Sequence, residues 1–97
     1  MEHRLDKRIR APLKVTVHTD WGISFRSLAR NLSCGGVYVE MKEPGNLRKT
    51  VVNVEFNEGH FSTVVPALVL RCSEKAAALM FLTPSPQLNS FLNHLAL

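Results

Sequence analysis

Three arginines near the N-terminus have the type and spacing to bind an anion. Arg4 and Arg8 lie four residues apart, and Arg10 follows two residues later. A guanidinium group presents a rigid fork of N–H donors, which binds a phosphate or the edge of a guanine through two parallel hydrogen bonds. Basic termini are also often solvated and frayed. The arginines alone therefore leave open whether this segment binds a ligand.

The segment Asn-Leu-Ser-Cys-Gly-Gly at residues 31–36 is a second candidate. Asn and Ser side chains between two strands usually bond to their own backbone, and glycine adopts conformations that other residues avoid. On that interpretation the segment is a tight turn. The same residues could instead form a polar cradle, in which Asn31 and Ser33 bind a ligand and the glycines leave the backbone accessible.

The other polar residues form no pattern typical of a catalytic or metal site. Cys34 and Cys72 lie 38 residues apart without a CxxC pair, so we expect two free thiols and no zinc site. No GxSxG, Walker loop or GxGxxG is present. The scattered histidines are His3, His18, His60 and His94. We therefore expect no enzyme activity, no catalytic residue, no metal and no cofactor.

Positive charge is concentrated in the first third of the chain. The formal net charge is +4 over 97 residues. Residues 1–30 carry seven basic and three acidic side chains, whereas residues 31–97 carry five of each. Such a cluster favours an anionic partner. No apolar run approaches the roughly 20 residues of a membrane span. No secretory signal is present either, so we expect a cytoplasmic protein.

Alternating apolar and polar residues predict a series of short strands. The pattern starts at Leu13, where Leu13, Val15 and Val17 alternate with polar neighbours. Pro66 lies inside the longest apolar run, and we expect it to bend or divide that strand. The predicted strands cover residues 13–18, 23–30, 37–41, 51–56, 61–71 and 76–82.

A helix is predicted at the C-terminus. Ser85 is the expected cap, and Pro86 takes the first helical position. The apolar residues then recur with helical spacing and form one face: Leu88, Phe91, Leu92 and Leu95. Many short strands followed by one amphipathic helix predict a mainly all-β fold, a six- or seven-stranded antiparallel β-barrel whose helix packs on it.

The length of the chain allows one domain. We predict a single domain over residues 1–97. It consists of a flexible basic arm at 1–11, the barrel at 12–83 and the helix at 85–96.

Taken together, the two candidate motifs resemble the PilZ family. An RxxxR arginine pair followed by a strand and a [D/N]xSxxG turn is found at residues 4–8 and 31–36. The resemblance extends to RAPLKVTV at 10–17, VLRC at 69–72 and the strand, linker and helix of 78–95. It covers nearly the whole chain, and the Asn-x-Ser-x-x-Gly match is its more specific part.

The resemblance implies a barrel with a C-terminal helix that binds the second messenger cyclic di-GMP without catalysis. In the family, the arginines contact phosphates and guanine, the Asn and Ser hold a guanine base, and the final glycine keeps the strand clear. Carried over to this sequence, the ligand-binding residues are Arg4, Arg8, Arg10, Asn31, Ser33 and Gly36, with Gly35 and Arg71 as additional candidates.

Two alignments of the arginine motif are possible. Family members usually have apolar residues and proline directly after the second arginine, and Arg10-Ala-Pro fits that phrase. In that alignment the first arginine falls on Asp6, which cannot bind phosphate. We favour Arg4 and Arg8 as the motif, with Arg10 as an auxiliary contact.

The resemblance leads to a receptor that orders its arginine arm on cyclic di-GMP and signals to a separate effector protein. Motility, pili, exopolysaccharide synthesis and chemotaxis are the outputs that it implies. The alternative is a ligand-independent interaction module of the same fold. Nucleic acid is a more distant third partner, because Trp21 is the only tryptophan and Tyr38 the only tyrosine. We expect a monomer or a weak homodimer.

Overall fold

The computed structural model describes residues 13–41 and 47–95. Its elements, in chain order, are β1 (Leu13–Thr19), β2 (Ser24–Arg30), β3 (Gly36–Glu40), β4 (Val51–Glu58), β5 (Phe61–Cys72), β6 (Ala76–Phe81) and α1 (Pro86–Leu95). Within these residues, no helix has both the length and the apolar character needed to cross a membrane.

The six strands close into an antiparallel barrel. Their order around it is β1-β2-β3-β6-β5-β4, and β4 closes it by pairing with β1. Closure leaves no edge strand open for further pairing. The predicted fold class is confirmed, with six strands in the part of the chain that the structure describes.

The barrel interior is filled by the apolar half of each alternating strand. Val17, Val39, Val52 and Val54 are fully buried, at 0% exposure. These β-branched side chains fit the pleated, half-buried surface of a strand. Because side chains alternate between the two faces, the remaining strand positions form the outer surface of the barrel.

Pro66 does not divide β5, which was one of the two effects expected of it. The strand runs unbroken from Phe61 to Cys72, with Pro66 opposite Asn53 of β4. The carbonyl of Pro66 accepts a hydrogen bond from Leu82 N at 2.9 Å, on the side of β6. The missing N–H of Pro66 faces the same side, where β6 has already ended. The sheet therefore loses only a terminal ladder bond, and the irregularity of β5 is instead a bulge between Val69 and Arg71.

The helix is capped and packed as its sequence predicts. Leu88 N donates to Ser85 Oγ at 3.1 Å, which satisfies one of the free N–H groups of the first turn. Leu88, Phe91 and Leu92 are buried in the same core as the barrel residues. The ring of Phe91 stacks on Phe61 with centroids 4.0 Å apart. This contact fixes α1 against the start of β5.

Candidate functional site

The turn between β2 and β3 and the first residue of β3 together hold four of the predicted site residues: Asn31, Ser33, Gly35 and Gly36. The turn follows Arg30, the last residue of β2, and leads into Gly36, the first residue of β3. Asn31 has a φ of 50°, a left-handed conformation that Asn tolerates better than most residues. Its side chain is exposed and makes no hydrogen bond to the residues that the structure describes. The amide of Asn31 is therefore accessible to a ligand.

Ser33 is bonded to the turn itself. Its backbone N–H donates to the Gly36 carbonyl at 2.9 Å, and its hydroxyl accepts from Gly35 N at 3.3 Å. Leu32, between the two polar residues, is buried at 1% exposure and anchors the turn in the core. The turn interpretation thus accounts for the hydrogen bonds of Ser33, while the Asn31 side chain makes none with the described residues.

Gly36 is required by the packing of β3 on β6. A Cβ atom at this position would lie 2.5 Å from the carbonyl oxygen of Leu79, closer than real Cβ contacts. At Gly35 an added Cβ atom would meet nothing within 4 Å. The Gly35 carbonyl accepts a hydrogen bond from Phe81 N at 3.0 Å. The two glycines therefore differ: only Gly36 is explained by a close approach of backbone.

The chain enters the barrel beside this turn. Leu13, the first residue of β1, pairs with Ala29 of β2, two residues before Asn31. Arg4, Arg8 and Arg10 lie outside the described residues. In the sequence they precede Leu13, which pairs with β2 close to the turn.

Arg71 lies on the same outer face but not in the turn. The strand pairings place Arg30, Tyr38, Ala78 and Arg71 in one row across four neighbouring strands. Three strand spacings of about 4.8 Å separate the first from the last, or roughly 14 Å. Arg30 Nε lies 2.6 Å from Glu40 Oε2, an ion pair on this face.

Tyr38 is an outer-face residue that the motif search missed. It is 41% exposed, two residues beyond Gly36 on β3, and it lies next to the turn. The period of two along β3 could have indicated it, because Gly36 and Tyr38 belong to the same face.

A polar cluster near the C-terminal end of β1 links β1, β2 and β4. His18 Nε2 lies 2.7 Å from Glu55 Oε1, and His18 Nδ1 lies 2.7 Å from Ser24 Oγ. Asn57 Nδ2 donates to Glu55 Oε2 at 2.7 Å. The hydrogen bonds from Asn57 and then His18 hold the pKa of Glu55 below its ordinary value. These contacts tie β1 to β2 and β4.

An open groove of about 860 Å³ runs over the outer face of β1 and β2. Side chains of both signs line it, among them Lys14, Arg26, Glu40 and Glu55, and the turn residues do not. With Lys75, the groove lining carries three basic and two acidic side chains among the described residues. Asn31, Ser33 and Gly36 of the predicted motif lie in the turn and at the start of β3, outside that lining.

Metal and thiol chemistry have little support in residues 13–41 and 47–95. No group of three His, Cys, Asp or Glu side chains comes together there as metal ligands. Cys34, in the turn, and Cys72 are both free thiols. Burial raises the pKa of the Cys72 thiol, which lowers its reactivity.

Comparison with known sequences gives one family match. The family model described as the PilZ domain matches residues 2–97. No curated protein matches the sequence.

Solved structures with the same fold are similar over nearly all of this chain. The PilZ domain of CeSA from a cellulose-synthesizing bacterium has a TM-score of 0.74 at 24% identity, covering 92% of this chain and 93% of that chain. The PilZ domain of YcgR from Escherichia coli, solved with c-di-GMP, has a TM-score of 0.75 at 19% identity, covering 98% and 89%.

An inhibitor of motility from Bacillus subtilis, MotI/DgrA, has a TM-score of 0.75 at 20% identity. The match covers 99% of this chain and 50% of that one. At these identities the three likenesses show the shared fold.

Proposed function

The chain belongs to the PilZ domain family, and on that premise we propose that it is a cyclic di-GMP receptor that signals to a separate protein partner. One observation carries the proposal: an exposed Asn-x-Ser-x-x-Gly turn lies where the arginine-rich N-terminal segment joins the barrel. The Escherichia coli domain of the same fold, solved with c-di-GMP, supports the choice of ligand.

The turn would hold a guanine base. The Asn31 amide offers both a donor and an acceptor, and a guanine edge presents groups that match each of them. Ser33 would contact the same base, and its hydroxyl also accepts from Gly35 N, which stabilises the turn. Because Gly36 has no Cβ atom, the start of β3 can pack closely against the Leu79 carbonyl of β6.

The arginines would hold the phosphates. Arg10 is three residues and Arg4 nine residues before Leu13. At about 3.3 Å per residue, nine residues can extend roughly 30 Å, enough to fold back over the turn. Pairing Arg4 and Arg8 with a doubly anionic ligand would order residues 1–11 against the barrel, with Arg10 as an auxiliary contact. Arg71, on the same outer face, would reach a second guanine.

The bound segment would present a new surface to an effector protein. A ligand that orders a segment changes which side chains a partner meets, without any catalytic step. Motility, pili, exopolysaccharide synthesis and chemotaxis are the processes in which we place that effector.

The experiment is an amide NMR titration of ¹⁵N-labelled protein with cyclic di-GMP, with GTP as a control ligand. We expect the largest shifts at residues 31–36, with GTP causing little change. Amides of the groove, such as those of Thr16 and Arg26, serve as an internal control. Shifts centred on the groove would contradict the site, and no shifts at all would contradict the ligand.

A ligand-independent interaction module is the second candidate. The observation that favours it is that Ser33 and Gly36 are both explained by the fold, through the turn hydrogen bonds and the contact with Leu79. On this alternative the same turn contacts a protein directly. A protein that binds no cyclic di-GMP and still captures an effector would establish it.

A further inference from the structure

The outer face of β5 is apolar although it points away from the core. Four alternate residues on this face are Val64, Pro66, Leu68 and Leu70. Val64 is 54% exposed and Leu70 44%. An antiparallel sheet with one face in water normally places polar residues there. The composition of β5 therefore indicates a surface that is covered in the assembled protein.

The neighbouring strands extend this surface. The pairings join Val51 of β4 to Leu68, and Leu68 to Met80 of β6. We define the β5 face as Val51, Val64, Leu68, Leu70, Met80 and Leu82, of which all but Leu68 are 42% to 54% exposed. Together these side chains expose roughly 500 Å², the size of a functional patch on a typical monomer.

Charges of opposite sign flank the two ends of the β5 face. Glu55 is opposite Val64 at one end, and its pKa is held low by its hydrogen bonds, so it is ionised at neutral pH. Arg71, which is exposed, follows Leu70 at the other end. When two copies of this strand pack face to face and antiparallel, the Val64 end of one lies over the Leu70 end of the other. Each Glu55, whose carboxylate also bonds His18 and Asn57, then lies near an Arg71.

We propose that two copies of this chain associate through their β5 faces, about a twofold axis that crosses β5. The surface is self-complementary, with an apolar centre and one charge of each sign at its ends. Two such faces bury roughly 1,000 Å², near the lower limit for a specific interface. The dimer is therefore weak and concentration-dependent. It does not rest on ligand binding, and its test contains no nucleotide.

The test is sedimentation velocity of the full chain over a wide concentration range. We expect the wild-type protein to shift from monomer to dimer as its concentration rises. Leu68→Lys places a charge in the apolar centre and should weaken dimerisation at least about tenfold. Leu28→Lys, the same change on an exposed leucine of β2 outside the β5 face, should leave it unchanged.

A charge exchange tests the orientation. Arg71→Glu and Glu55→Arg should each weaken the dimer several-fold, and the two together should restore it. Thermal melts of each variant confirm folding, since Glu55 also contacts His18. A wild-type chain that stays monomeric at all concentrations would overturn the proposal and leave the β5 face to a partner of another sequence. A dimer that survives Leu68→Lys would overturn it as well.

Discussion

The two polar residues of the turn, Asn31 and Ser33, differ in their hydrogen bonds. The exposed amide of Asn31 is unused by the described residues, whereas the Ser33 hydroxyl is bonded to the turn. The sequence motif groups them as equal ligand contacts. We propose Asn31 as the main ligand contact of the two, because the Ser33 hydroxyl already has a hydrogen-bond partner in the turn.

Substitutions of Asn31 separate binding from backbone strain. Asn31→Gly keeps the left-handed conformation without a Cβ, so we expect no loss of stability but at least about tenfold weaker binding of cyclic di-GMP. Asn31→Ala should bind as weakly and also lose about 1 kcal/mol in urea unfolding, because alanine is strained at a φ of 50°. Full binding by Asn31→Gly would remove Asn31 from the site.

The adjacent glycines give a matched pair for the packing argument. Gly36→Ala should cost about 2 kcal/mol, because the Cβ meets the backbone carbonyl of Leu79 at 2.5 Å, which cannot easily move aside. Gly35→Ala has open space and should change the unfolding free energy by less than about 0.5 kcal/mol. Urea unfolding of both variants measures the two changes in unfolding free energy. Equal losses of stability in the two variants would refute the packing argument.

At the scale of the elements, the barrel strands could be predicted from periodicity and residue types. Alternation of apolar and polar residues located β1 and β2, whereas β-branched and aromatic content indicated β3 and a long apolar run indicated β5. Pro66 was misjudged because its effect depends on which neighbour its missing N–H faces, and no local pattern contains that information. The exposure of the outer face of β5 could not be predicted from the sequence either. Both faces of this strand are apolar, and that pattern is typical of a strand buried on both sides.

The helix cap is testable with two serines of the same segment. Ser85→Ala should destabilise the protein by about 1 kcal/mol, because it removes the acceptor for Leu88 N. Ser90→Ala, at an exposed position inside the helix, should be neutral or slightly stabilising, since alanine has the higher helix propensity. Thermal unfolding distinguishes them, and a neutral Ser85→Ala would show that packing of Leu88, Phe91 and Leu92 fixes the helix without the cap.

At the scale of the whole molecule, the proposed site combines a turn of the barrel with arginines outside the described residues. The sequence indicated both motifs, and strand pairing explains why they can meet: Leu13 is paired two residues from Asn31. The choice between the two alignments of the arginine motif stays a prediction, because Arg4, Arg8 and Arg10 precede the first described strand. Only a measurement on those arginines can decide it.

The most direct measurement is calorimetric titration of the protein with cyclic di-GMP, beside GTP and cyclic GMP, for wild type, Arg8→Ala and Arg26→Ala. Arg26 is an exposed arginine of β2 that lines the groove, and it serves as the matched control. We predict selective binding at micromolar or tighter affinity that is lost in Arg8→Ala and kept in Arg26→Ala. Binding that survives Arg8→Ala would contradict the residue assignment, and no binding by the wild type would contradict the receptor itself.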